Sequence, residues 1–167
     1  MLIFDLDRTL VHTTTQRNAM PGFDGFPITV DGHDLYVHIR PHVLDYLKTL
    51  VRHNERWGVW TTGLRSYMNK VVVGLFAATG IDTPHDDVLE ICLCRDDSTR
   101  IRDNIYVKDL SRFTGDVVLY DDDPIHAAFA ANRGKVRLVP PFNVRTRASR
   151  LDCTFLVERC KKIEIEC

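Results

Sequence analysis

The sequence predicts an α/β domain built on an open, mostly parallel sheet, with helices on both faces and a small β insertion near the functional end. Three observations lead there. Short apolar runs of strand length alternate with longer segments whose apolar residues recur at helical spacing. Three of those runs stop at polar segments, Asp5-Leu6-Asp7, Thr61-Thr62-Gly63 and Asp121-Asp122-Asp123, the ends at which parallel sheets carry their sites. A chain of 167 residues, 44% of them apolar, suits one domain over 1–167 with a single core.

The elements follow in chain order. Met1 to Leu6 reads as a buried parallel strand with acids at its C-terminal end. From Thr13 to Gly32 turn formers dominate (Pro21-Gly22, Asp24-Gly25, Asp31-Gly32), and a hairpin is expected through Ile28–Val30 and Leu35–Ile39. Pro41 opens a helix to about His53 that lines up Val43, Leu44, Leu47 and Leu50. Trp57 to Trp60 is a second buried strand, followed by a helix from about Ser66 to Thr79. The polar stretch over about 82–104 reads as the insertion, with strand candidates at Val88–Cys94 and, just after it, Ile105–Lys108. Asp116 to Tyr120 is a third buried strand, with a helix over Ile125–Asn132 behind Pro124. Lys135 to Val139 is a fourth, stopped by Pro140-Pro141, and a last helix is expected over Ser149 to about Lys161.

Charge and composition exclude several classes. With 22 Lys and Arg against 23 Asp and Glu, the net charge is -1, unlike a uniformly basic nucleic-acid coat or an acidic tail. The longest apolar runs, such as Ala127–Ala131, fall far short of the roughly 20 residues that span a bilayer, so no membrane contact is expected. The N-terminus reaches Asp5 without a basic region, unlike a secretory signal, and an intracellular location is the expectation. Five cysteines, all in the second half, suit a reducing compartment; without a Cys-x-x-Cys spacing they read as buried thiols before a zinc site of Cys92, Cys94, Cys153 and Cys160.

The chemistry lies in the carboxylates. A spacing of two sets Asp5 and Asp7 on the same side of an extended segment, where like charges need a cation or a shared proton between them. Asp121 and Asp122 from another strand end complete a hard-oxygen cluster of the kind Mg²⁺ prefers. With Thr61 and Lys108 at intervening strand ends, the set suits phosphoryl transfer: a carboxylate nucleophile, a second carboxyl as acid and base, a metal, and a lysine for phosphate oxygens.

Phe4-Asp5-Leu6-Asp7-Arg8-Thr9-Leu10-Val11-His12 resembles the Asp-x-Asp-x-Thr signature of Rossmann-like, haloacid-dehalogenase-fold phosphatases, and more narrowly the RNA polymerase II C-terminal-domain phosphatase type, also called the NLI-interacting-factor type. The resemblance continues in family order through Arg40-Pro41-His42-Val43, Trp60-Thr61-Thr62-Gly63-Leu64 with Tyr67, Leu93-Cys94-Arg95-Asp96, Tyr106-Val107-Lys108-Asp109-Leu110 and Val117–Pro124, covering about Leu2 to Phe142. It implies an Mg²⁺-dependent protein serine/threonine phosphatase. Asp5 would be the nucleophile that becomes an aspartyl-phosphate. Asp7 would be the general acid and base. Thr61, Thr62 and Lys108 would hold the phosphoryl group, and Thr9 would set the turn after the nucleophile. Asp5, Asp121, Asp122 and the Asp7 carbonyl would hold the metal. The resemblance implies a phosphoserine or phosphothreonine partner such as the polymerase C-terminal domain, in the nucleus or cytoplasm, or in the host cell for a virus-encoded version. Ile28, Val30, Leu64 and Tyr67 would enclose a substrate proline, with Arg95 meeting an acidic substrate. Two positions depart from the small-phosphatase pattern: Asp122 stands where Asn is frequent, and Thr15 where an aromatic is expected.

Between Arg133 and Lys162 stand nine Lys and Arg against Asp152 and Glu158. This segment, 133–162, reads first as a solvated face that balances the acidic stretch 82–97, and second as a contact for RNA or phosphorylated tails. The alternatives to a protein phosphatase are an RNA or nucleic-acid end phosphatase on the same fold and a non-catalytic phosphopeptide-binding module. The scattered histidines read as structural, and Trp57 and Trp60 as core.

Overall fold

The first apolar run becomes β1 (Leu2–Phe4), and its neighbours in space come from far along the chain. A computed structural model describes residues 1–146 apart from 83, 128, 130 and 131; the helix expected from Ser149 lies outside the described residues. After β1 follow β2 (Val11–Thr15), β3 (Gly25–Val30), β4 (His33–Ile39) and α1 (Val43–Arg52). Then come β5 (Trp57–Trp60), α2 (Arg65–Thr79), α3 (His85–Val88), β6 (Ile91–Leu93), β7 (Thr99–Arg102) and β8 (Ile105–Val107). The described chain ends with β9 (Val118–Asp121), α4 (Pro124–Ala127) and β10 (Val136–Leu138).

The main sheet runs β10-β9-β1-β5-β6, every pairing parallel. Phe4 sits level with Val59 on one side and Tyr120 on the other, so the next residues, Asp5, Trp60 and Asp121, emerge together at the carboxyl edge. The chain leaves β1 toward β5 and β6 and later returns to β9 on the opposite side. That reversal opens the crevice in which open α/β sheets bind ligands. Gly58 lets the two strands of the β5–β6 pair approach: a Cβ there would stand 2.4 Å from the Ile91 carbonyl oxygen.

Both faces of the sheet are covered. On one, Phe4 meets Tyr46 and Trp57 edge-on, with centroids at 5.6 and 6.3 Å. There α1 buries Val43, Tyr46, Leu47 and Leu50, and α2 buries Met68, Val71, Val72, Leu75 and Phe76, both at helical spacing. On the other face, Ile3, Trp60 and Leu119 pack with Leu110, Val117 and Ala127. α2 stops at Gly80, whose φ of 68° supplies the left-handed cap.

A second, antiparallel sheet, β2-β4-β3, stands beside the first. Its hairpin turns on Asp31 and Gly32, both at positive φ, the pattern of a two-residue turn. The strand β2 has no sequence signal of its own, because Val11-His12-Thr13-Thr14-Thr15 holds one aliphatic residue and its burial depends on pairing with β4. The stretch 82–104, expected as an insertion, is divided. β6 joins the parallel sheet at its edge, and only β7 pairs with β8 as a separate ribbon. Of the helix expected over Ile125–Asn132, the turn Pro124–Ala127 is described, and 128, 130 and 131 lie outside the described residues.

Candidate active site

Asp5 follows β1 directly, its N–H bonded to the Tyr120 carbonyl at 2.9 Å, and its side chain is 7% exposed. Lys108, arriving from the end of β8, is fully buried and donates to Asp5 Oδ1 at 2.5 Å and to Asp121 Oδ2 at 2.7 Å. One ammonium therefore clamps two carboxylates from adjacent strands in a poorly screened environment. Burial drives the Asp5 carboxyl well above its usual range, Lys108 pulls it back, and the charges of Asp121 and Asp7 add to the rise. For Lys108 burial works against the ammonium, yet the charges of Asp5 and Asp121 outweigh it and raise its pKa.

Asp121, at the tip of β9, spends Oδ1 on the N–H of Asp123 at 2.9 Å, which fixes the turn into α4. Asp122 is paired with Arg8, whose Nε lies 3.4 Å from Oδ2. Burial lifts the Asp122 carboxyl to about 6, against the pull of Arg8. Asp5, Asp121 and Asp122 each present an oxygen within 4.8 Å of the others. Three carboxylate oxygens so placed fit a hard divalent cation such as Mg²⁺, which keeps water at its remaining positions.

The Asp7 carboxylate lies outside that triad. Its Oδ1 accepts the Tyr67 hydroxyl at 2.5 Å, and the same hydroxyl lies 2.6 Å from Thr13 Oγ1. Burial raises the Asp7 pKa, opposed by the Tyr67 bond, the charge of Lys108 and a bond from Thr13. Tyr67 itself is pushed well above its ordinary value by burial and by the Asp7 charge, so it stays a donor. Two carboxyl groups two residues apart are thereby placed in different environments, one against a lysine, the other against a phenol.

Thr61 continues β5 and bonds through its N–H to the Leu93 carbonyl at 3.0 Å. Its Oγ1 accepts the Gly63 N–H at 3.0 Å, leaving the hydroxyl hydrogen to donate elsewhere. Thr62 enters through its carbonyl, which accepts Arg95 Nε at 2.8 Å; the Arg95 guanidinium also lies 5.3 Å from the centre of the Tyr106 ring. Thr9 is fully buried in the turn after Asp7, and its carbonyl accepts Arg40 Nη1 at 3.0 Å.

The apolar substrate group is only partly assembled. Ile28 and Val30 are 9% and 8% exposed and belong to the core, while Leu64, ahead of α2, is 45% exposed. Tyr67, expected beside a substrate proline, spends its hydroxyl on Asp7. Sequence reasoning also missed Asn132 as a residue of the site. Its Nδ2 donates to the carbonyls of Lys108 (2.5 Å) and Ala127 (3.2 Å), and its Oδ1 accepts the Leu110 N–H (2.8 Å), locking the main chain around Lys108. No sequence signal separates this asparagine from one in an ordinary turn. Arg8 could have been found from its place beside Asp7.

The profile of the family described as NLI interacting factor-like phosphatase matches residues 1–163. No curated protein matches the chain. Among solved structures it is similar to the fission yeast RNA polymerase II CTD phosphatase Fcp1 bound to beryllium fluoride, with 22% identity over 99% of this chain and 50% of that one, at a TM-score of 0.60. A second structure, of Fcp1 as an essential RNA polymerase II CTD phosphatase, gives 22% identity over 99% of this chain and 49% of the other, also at 0.60. The chain spans about half the length of both, and at this identity the likeness concerns the fold.

Proposed function

Since the chain belongs to the NLI interacting factor-like phosphatase family, we propose that it is an Mg²⁺-dependent phosphatase that cleaves phosphoserine or phosphothreonine through an aspartyl-phosphate on Asp5. The observation that carries this reading is the double clamp of Lys108 on Asp5 and Asp121, with Asp7 held apart by Tyr67. Asp5 is the nucleophile: its carboxylate oxygen bonds to phosphorus as the bond from phosphorus to the seryl oxygen breaks. Asp7, whose carboxyl burial raises above its ordinary range, gives its proton to the departing alkoxide. Water then attacks phosphorus, Asp7 takes the water proton, the bond to Asp5 breaks, and phosphate leaves. Lys108 and the Thr61 hydroxyl neutralise and orient the phosphoryl oxygens, which is most of what phosphoryl transfer requires of a protein. Mg²⁺ held by Asp5, Asp121 and Asp122, with the Asp7 carbonyl, would offset the repulsion between two anions.

The two structural relatives are named as RNA polymerase II CTD phosphatases. Phosphoserine peptides of the polymerase heptad are therefore the substrates to assay first, beside a 3′- or 5′-phosphorylated oligonucleotide and an aryl phosphate. Peptide turnover is expected with Mg²⁺, none with excess EDTA, and none for Asp5→Asn of native circular dichroism. Activity of Asp5→Asn within about tenfold of wild type would overturn the assignment. Faster turnover of the oligonucleotide than of the peptide would replace the substrate class.

A further inference from the structure

The reaction centre has a charge problem that its own residues do not solve. Asp5, Asp7, Asp121 and Asp122 converge there with one buried lysine, and a phosphoester arrives as a second anion. A cleft of that sign needs cations on its rim to draw an anionic substrate in. Arg8 is placed for this. It occupies the turn just after Asp7 at a φ of 63°, which a glycine would adopt without strain. Its main chain is held from both sides, by its own N–H to the Val11 carbonyl and by the Phe142 N–H to its carbonyl, each 2.6 Å. The turn is thus locked while the side chain, 51% exposed, stands over Asp122 at 3.4 Å.

The Phe142 bond ties this turn to the segment that carries Arg145. There Asn143 Oδ1 accepts the Arg145 N–H at 3.0 Å, and the Asn143 carbonyl accepts both the N–H and the hydroxyl of Thr146 at 3.0 Å. Arg145 is exposed, and its guanidinium has no carboxylate partner among the described residues. His12 lies between the two segments, edge-on to Phe142 at 6.3 Å. Burial first, then the charges of Arg145 and Arg8, hold its imidazole below the ordinary pKa.

We propose that Arg8 and Arg145 form a second-anion subsite at the rim of the catalytic cleft, matched to a phosphopeptide that carries another phosphate close to the one being cleaved. This rests on the phosphoserine phosphatase reading and adds its substrate class. Planar guanidinium groups take phosphate oxygens in pairs, and two of them suit a dianion better than a carboxylate. Arg8 belongs to both places: its Asp122 contact is long for a charge-assisted bond, and half of its side chain faces solvent.

The test measures binding apart from turnover. In an Asp5→Asn background, fluorescence anisotropy compares a singly phosphorylated serine peptide with peptides that carry a second phosphoserine close by on either side. The doubly phosphorylated form is expected to bind about tenfold more tightly, with the advantage shrinking as salt rises. Adding Arg8→Gln and Arg145→Gln is expected to bring the preference to within about twofold. Should Arg8→Gln disturb the fold by circular dichroism, Arg145→Gln alone decides, with an expected loss of about threefold. Equal affinities for the two peptides, or a preference that survives the substitutions, would overturn the subsite. Tighter, arginine-dependent binding of a 5′-phosphorylated oligonucleotide would overturn the peptide assignment. Wild-type protein with Mg²⁺ is assayed on the same peptides; no hydrolysis there tells against the phosphatase reading, and the binding preference is judged separately.

Discussion

Tyr67 donates to Asp7 at 2.5 Å from the first turn of α2, and so connects a helix to the proposed general acid. That contact has a kinetic signature. A seryl alkoxide is a poor leaving group and needs the Asp7 proton, whereas a nitrophenolate leaves without one. Tyr67→Phe should therefore lower kcat/KM about ten- to hundredfold more for a phosphoserine peptide than for p-nitrophenyl phosphate. Equal losses on both would make Tyr67 a packing residue. Asp122 makes a second prediction at this scale. Its carboxyl stands at about 6 against an ordinary 3.8, so the fold binds this proton more tightly than the unfolded chain does. Its contribution to stability is then complete below about 4, is lost as pH rises through about 6, and leaves a net cost at neutral pH. In metal-free protein, Asp122→Asn should be more stable than wild type by ~2 kcal/mol near pH 7.5, and the gain should vanish near pH 4, read by urea denaturation at both values. A gain that does not change with pH would show that the carboxylate carries no such cost.

At the scale of elements, Lys108 depends on a main-chain frame rather than on its own strand. The β8 strand is three residues long, and beyond it the Lys108 N–H bonds to the His126 carbonyl while its carbonyl accepts Asn132 Nδ2. Asn132→Ala should leave the Leu110 N–H without its partner and cost about 2 kcal/mol of stability. It should also lower kcat more than it raises KM, because a displaced ammonium weakens the transition state more than binding. Turnover unchanged despite the lost stability would confine Asn132 to the fold. The long elements were legible in sequence because each buries a repeating face: α1 and α2 at helical spacing, β1, β5 and β9 as continuous apolar runs. The short ones were not. Only pairing decides that Val11–Thr15 is a strand, or that Ile91–Leu93 belongs to the main sheet, since neither carries a period of its own.

For the whole molecule, the parallel sheet is the device that turns three separate strand ends into one site, where Lys108 offsets only part of the repulsion among the carboxylates. Binding of Mg²⁺ to the folded state alone should raise the thermal midpoint, by about 2.7 kcal/mol of stability at a hundredfold excess over Kd, and Asp121→Asn should remove that gain. An equal shift in Asp121→Asn would place the ion elsewhere. The family matched over residues 1–163 is the one that the sequence motifs resemble. The sequence by itself determined which carboxylates meet at the sheet edge and that Asp5 and Asp7 leave β1 together, because strand geometry and residue spacing are local. Only the tertiary structure decided that Lys108 clamps Asp121 as well as Asp5, that Arg8 pairs with Asp122, and that the Tyr67 hydroxyl is spent on Asp7. Asp5 and Lys108 stand 103 residues apart along the chain and Asp7 and Tyr67 stand 60 apart, and hydrogen bonds of 2.5 Å between such residues exist only once the sheet has brought the ends together.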